Sequence, residues 1–287
     1  MKEYDTLRVR ATVASAEAEN AEFVLAELGC NATMEEPSRE AGCACITACF
    51  DAKAWGADQL SLRVREAFDA FDGLGGSRVE VARELIPDLG ESYKQHFAPF
   101  EIAPGFVVAP SWEIYEAKPG EAVIELDPGM AFGTGLHETT RLCAWAIARI
   151  DPPPTSLLDV GTGSGILAIA AHRMGVARIC AVENDPDATQ VARVNLERNG
   201  CQGVTLLPAI SDAKDRFDVV VANILLGTLI DLSDEISQRV GRPGILILSG
   251  ITHDQEAEIA KAYGKEFDDM EMTRRGEWSA AIFARSA

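Results

Sequence analysis

Basic residues are scarce in this 287-residue chain: 26 Lys and Arg stand against 45 Asp and Glu, a formal net charge of −19. A surface of that sign repels DNA, RNA and anionic membranes and favours cationic partners, so direct nucleic-acid binding is not expected. Paired cysteine motifs are missing as well. The thiols at positions 30, 43, 45, 49, 143, 180 and 201 form no C-x-x-C, so no zinc site and no other metal is expected. Cys43, Cys45 and Cys49 share strand parity in an apolar run and are expected to pack on one face as small reduced hydrophobes. No stretch approaches the roughly 18 uninterrupted apolar residues of a membrane span. The opening Met1-Lys2-Glu3-Tyr4-Asp5 is unlike a secretory leader, and no segment is of low complexity. These absences point to a cytoplasmic chain with no membrane partner. Apolar residues still make up 47%, enough at this length for two cores, one of them large.

What is present centres on Ser156-Leu157-Leu158-Asp159-Val160-Gly161-Thr162-Gly163-Ser164-Gly165, followed by Ile166-Leu167-Ala168-Ile169-Ala170-Ala171. An apolar strand enters a turn of alternating glycines, and a small-residue helix leaves it. Glycine lets the backbone turn sharply and lets a ligand approach closely, and the helix start is expected to offer free N–H groups. Gly161, Gly163 and Gly165 are therefore candidate ligand contacts. Their spacing, G-x-G-x-G, departs from the G-x-G-x-x-G of dinucleotide sites. It looks like the first motif of S-adenosylmethionine methyltransferases, which hold a nucleoside and an amino acid but no pyrophosphate. An ordinary strand-to-helix turn is the competing reading. The next strand, Arg178–Val182, is closed by Glu183, about 20 residues past the first glycine, where doubly wound folds place the acid that binds ribose hydroxyls. Asp185 before Pro186 reads as a helix cap rather than a ligand.

The first 90 residues show two similar halves, each strand, helix, strand: Leu7–Val13, a helix capped by Ser15 and stopped at Gly29, and Ala32–Glu35; then Ala44–Phe50, Trp55–Phe71 and Arg78–Leu85. The order β-α-β-β-α-β predicts a ferredoxin-like split sandwich over residues 1–86, an α+β recognition domain without catalytic spacing. Residues 87–104 read as a linker or hinge, with a short helix over Glu91–Phe97 and His96 as a surface polar group. The second domain is predicted over 105–287 as a seven-stranded, doubly wound α/β sheet closed by an antiparallel pair.

A second glycine-rich stretch, Asp127-Pro128-Gly129-Met130-Ala131-Phe132-Gly133-Thr134-Gly135-Leu136-His137-Glu138-Thr139-Thr140, lacks the Gly-Lys-Ser/Thr of a phosphate loop. Its interleaved Met130 and Phe132 suggest a lid over the carboxyl ends of the strands, against the alternative of a surface turn. Strand Phe217–Ala222 ends at Asn223, whose amide suits orienting a nucleophilic nitrogen; capping the next helix is a compatible role. His137 stands open between general base and a structural place at a helix start.

With Val221-Ala222-Asn223-Ile224-Leu225 and Leu248-Ser249-Gly250-Ile251, these runs resemble the bacterial methyltransferases of large-subunit ribosomal protein eleven. The likeness is close across the second domain and rests on element order in the first. It implies a class I Rossmann-like methyltransferase domain behind a ferredoxin-like recognition domain, S-adenosyl-L-methionine as cofactor, and a monomer. The implied substrate is a basic ribosomal protein, methylated on lysine ε-amines and the N-terminal α-amine. Carried over residue by residue, cofactor contacts fall on Thr140, Gly161, Glu183 and Asn223, with Gly163, Gly165, Phe132 and Gly133 beside them and Asn223 as the catalytic candidate. This chain has Leu136, Glu138, Thr162 and Glu183 where the family usually has Thr, Pro, Cys and Asp, and lacks its tryptophan-rich linker. Three other functions compete with it: a related protein-lysine methyltransferase with a different substrate, a nicotinamide-linked oxidoreductase, and a silent binding module. The glycine spacing disfavours the oxidoreductase, and the unbroken cleft motifs disfavour the silent module.

Overall fold

A computed structural model of the chain describes residues 3–30, 32–38, 40–71, 73–87, 98–127 and 135–286. They fall into two compact units, one built on residues up to 87 and the other on residues from 98 onward. The first unit runs β1 (Glu3–Ala14), α1 (Ala18–Glu27), β2 (Ala32–Pro37), β3 (Cys43–Asp51), α2 (Ala57–Ala70) and β4 (Arg78–Pro87). Its four strands pair antiparallel in the order β2-β3-β1-β4, the ferredoxin-like arrangement. Alternation decides the faces: Leu7, Val9, Ala11 and Val13 on β1 are buried, as are Ile46, Ala48 and Phe50 on β3. Helix α2 buries a single stripe, Leu60, Val64 and Phe68, spaced one turn apart. Cys43, Cys45 and Cys49 take the β3 face opposite Ile46 and are free thiols.

Of the interval expected as linker, residues 88–97 lie outside the described residues, and with them the expected short helix and His96. Phe100–Ala103, at its far end, is strand β5 of the second unit. It pairs with β6 (Phe106–Ala109), which runs parallel to β7 (Ala122–Glu125) in a small three-stranded sheet. Then follow α3 (Glu138–Ala148), β8 (Ser156–Val160), α4 (Ile166–Arg173), β9 (Arg178–Val182), α5 (Pro186–Arg198) and β10 (Thr205–Leu207). The remainder is β11 (Phe217–Asn223), α6 (Leu226–Asp231), α7 (Ser233–Arg239), β12 (Val240–Thr252), α8 (Glu256–Tyr263), β13 (Asp269–Arg275) and β14 (Trp278–Arg285).

The seven-stranded sheet has the order β10-β9-β8-β11-β12-β14-β13, parallel except for β14. From β8 the chain steps outward through β9 and β10, then returns to lay β11 on the other side of β8. The switch point lies between β8 and β11, where open α/β sheets form their ligand crevice. Strand parity divides the core in two. Leu157, Val219, Val221 and Ile247 pack with residues of α3 and α4, while Leu158, Val160, Val220, Ala222 and Leu248 pack with Leu229, Ile236, Ile259 and Tyr263. Two expectations change. Apolar spacing in the sequence predicts one helix over 229–240 and a strand over 244–248; the structure has two short helices broken at Leu232, and the strand extends over Val240–Thr252 with an irregularity between Leu248 and Ile251. No helix among the described residues is long and apolar enough to cross a membrane.

Candidate active site

The glycine turn joins the carboxyl end of β8 to α4. Gly161 has φ +71°, and a Cβ there would stand 2.4 Å from Ile224 Cγ2, so only glycine fits. The amides of Gly161 and Thr162 both donate to the Val182 carbonyl, at 2.9 and 3.0 Å. Gly163 donates to Glu183 Oε2 at 2.9 Å, Gly165 to the Thr162 carbonyl at 2.9 Å, and Ile166 to Ser164 Oγ. This corrects the expectation of free N–H groups at these positions: the Val182 carbonyl, the Glu183 carboxylate, the Thr162 carbonyl and the Ser164 hydroxyl already accept from them. Gly165 is the N-cap of α4, and a Cβ there would stand 3.7 Å from Ala192 of α5, so it lies where the two helices pack.

Glu183 closes β9, the strand beside β8. Its Oε2 accepts from Gly163 and its Oε1 from the Asp185 amide at 3.1 Å, which holds the carboxylate across the turn. Asp185 caps α5 by accepting from the Asp187 amide, with Pro186 behind it, as its sequence context predicts. Below the turn, buried Asp159 accepts from Thr162 Oγ1 at 2.6 Å. Burial pushes its carboxyl up to about 7, and the Glu183 charge pushes the same way, against the lowering effect of its hydrogen bonds.

On the other side of the switch point, β11 ends at Asn223, 6% exposed. Its Nδ2 lies 3.4 Å from Oγ1 of buried Thr140, in the first turn of α3. Its Oδ1 is buried with no hydrogen-bond partner among the described residues. Asn223 does not cap the next helix, because α6 begins with Leu225 as its N-cap. The fold thus brings together the turn, Glu183, Thr140 and Asn223. Phe132 and Gly133, and the lid reading with them, lie outside the described residues.

His137 is the N-cap of α3. Its Nδ1 accepts from the Thr139 amide at 3.3 Å and lies 2.8 Å from Thr139 Oγ1, while its ring meets Trp278 edge-on with centroids 4.7 Å apart. Burial lowers its pKa to about 4. That geometry gives it the structural role left open above. Trp278 carries no motif signal; Ile224 and Gly250 lie in runs that carry the resemblance, but their place around the turn emerges only in the fold. A cavity of about 550 Å³ between β5, α3 and β13 contains none of the candidate residues.

A buried amide oxygen awaiting a donor, an acid on the neighbouring strand and a glycine floor suit a nucleoside bearing an amino acid and no pyrophosphate. The amides of Gly161, Thr162, Gly163 and Gly165, the kind that hold pyrophosphate at dinucleotide sites, are here bonded to Val182, Glu183 and Thr162. This sheet order, with a glycine turn at the switch point and an acid ending the adjacent strand, defines a class I methyltransferase. Residues 5–286 match the family model described as ribosomal protein L11 methyltransferase (PrmA). Proteins of that name from Geobacter sulfurreducens and Clostridium perfringens are 38% and 36% identical, over 84% and 77% of this chain and 81% and 71% of their own lengths. The crystal structure of a ribosomal protein L11 methylase from Lactobacillus delbrueckii subsp. bulgaricus superposes with a TM-score of 0.62 at 32% identity, covering 67% of this chain and all of that one. The chain belongs to the ribosomal protein L11 methyltransferase family.

Proposed function

We propose that this chain transfers methyl groups from S-adenosyl-L-methionine to amines of ribosomal protein L11, on lysine side chains, the N-terminus or both. The observation that carries the reading is the buried, unsatisfied Oδ1 of Asn223 beside the glycine turn, in a member of this family. The cofactor, when bound, supplies a sulfonium methyl as the electrophile. Glu183 is placed to accept from its ribose hydroxyls, Gly161 and Gly163 form the floor, and Thr140 borders the same crevice from α3. Phe132 and Gly133 belong to the same proposal on sequence grounds alone, as a cover that excludes water.

The attacking amine must be neutral. A lysine with pKa near 10.4 pays about 4.6 kcal/mol to lose its proton at pH 7. Desolvation beside Ile224 and the buried strand ends lowers that cost by disfavouring the ammonium form. Asn223 Oδ1 accepts an N–H of the amine and so turns its lone pair toward the methyl, a contribution of orientation rather than proton transfer. His137 does not serve as the base, since its Nδ1 is committed to capping α3.

The test is Asn223→Ala with turnover and cofactor affinity measured separately. Turnover should fall about 100-fold while the cofactor Kd, from isothermal titration, stays within about threefold. Equal losses in both would show that Asn223 only shapes the cofactor pocket. Mass spectrometry of L11 after incubation with the enzyme and labelled cofactor identifies the amines; an unlabelled L11 would refute the substrate.

A further inference from the structure

Ile224, the residue after Asn223, is gripped from two sides by backbone without side chains. A Cβ on Gly161 would stand 2.4 Å from Ile224 Cγ2. One on Gly250 would stand 2.3 Å from the Ile224 carbonyl oxygen, 2.8 Å from its carbonyl carbon and 3.1 Å from its nitrogen. Gly250 has φ +86°, in the left-handed region, and sits at the irregularity of β12 where pairing to β14 slips between Leu248 and Ile251. One residue earlier, Ser249 pairs with Asn223 itself. The irregularity therefore sets bare backbone against the peptide that leaves Asn223.

We infer that Gly250 and Ile224 are positioning residues for methyl transfer: together with Gly161 they hold the peptide after Asn223 and so set the aim of its amide. Among the described residues, the Asn223 side chain has only the long 3.4 Å contact to Thr140 on its nitrogen, too weak to hold its direction, so the backbone sets it. Ile224 supplies the rigidity. It is 9% exposed and shares one core cluster with Val160 of β8 and Leu248 and Ile251 of β12, the two strands that flank β11. The inference rests on the reading of Asn223 as the group that orients the amine.

Gly250→Ala must push the Ile224 peptide by about 1 Å, and a misplacement of that size costs about 100-fold in turnover. We expect kcat to fall about 30- to 100-fold, with substrate KM and cofactor Kd within about threefold. In an Asn223→Ala background the same change should cost less than about threefold more, because both act through one amide. Additive losses would overturn the inference and leave the role of Asn223 standing. An Asn223→Ala enzyme of normal turnover would instead remove the reading beneath it. Cofactor affinity falling in step with turnover would reduce Gly250 to packing. Ile224→Ala, which creates no clash, decides the matter if Gly250→Ala does not fold. Loss of the wedge should lower kcat about tenfold with cofactor binding retained, and wild-type kcat there would overturn the inference.

Discussion

Glu183 spends its two oxygens on the amides of Gly163 and Asp185, which orient it without exhausting its lone pairs. Hydrogen bonds from ribose hydroxyls to a fixed carboxylate contribute about 1.5–3 kcal/mol, so Glu183→Ala should weaken cofactor binding about 10- to 100-fold. Calorimetric titration checks this, and an unchanged Kd would remove Glu183 from the site. At His137 the consequence is one of pH. Burial lowers its pKa from 6.5 to about 4, so the fold holds it neutral where the unfolded chain protonates it. Its contribution to stability is complete above about pH 6.5 and is lost as pH falls toward 4, amounting to at most about 3 kcal/mol. The difference in unfolding free energy between wild type and His137→Gln should shrink across that interval; a flat difference would place the imidazole in water. Asp159, raised to about 7, stabilises in the opposite sense, fully at low pH and less as pH rises toward 7. Both proteins carry it, so it cancels in the comparison.

Among the elements, α6 and α8 are tied through the core by Tyr263, whose hydroxyl donates to the Leu229 carbonyl at 2.6 Å. Tyr263→Phe leaves that buried carbonyl without its partner and should cost about 1–2 kcal/mol in a denaturant titration. Cofactor affinity should be unchanged, because neither residue reaches the crevice. The same region shows why element boundaries escape a sequence reading. Residues 229–240 contain no glycine or proline, so periodicity alone predicts one helix. The break at Leu232 comes from packing, which seats α6 against α8 and α7 against β11. Phe100–Ala103 escaped for another reason: four residues are too few to display a period, and they form a strand because β6 is there to pair with them.

At the scale of the whole molecule, charge is the property a partner meets first. A net charge of −19 should draw a basic protein substrate by long-range attraction that salt screens. Raising ionic strength from about 50 to about 300 mM should therefore raise KM for that substrate several-fold while leaving kcat unchanged. A KM indifferent to salt would reduce the charge to a solubility device. The amino-acid order by itself determined the two architectures, the glycine turn and the acid at the right remove from it. Strand alternation, helix spacing and turn chemistry are local, and a short stretch expresses them whatever it later packs against. Tertiary structure alone decided that the turn's amides bind β9, that His137 caps α3 against Trp278, and that Ile224 lies between Gly161 and Gly250. Thr140 and Asn223 meet for the same reason. Apart from the local bond between His137 and the Thr139 amide, each such contact joins residues far apart in the chain, and their approach exists only once the strand order has been set.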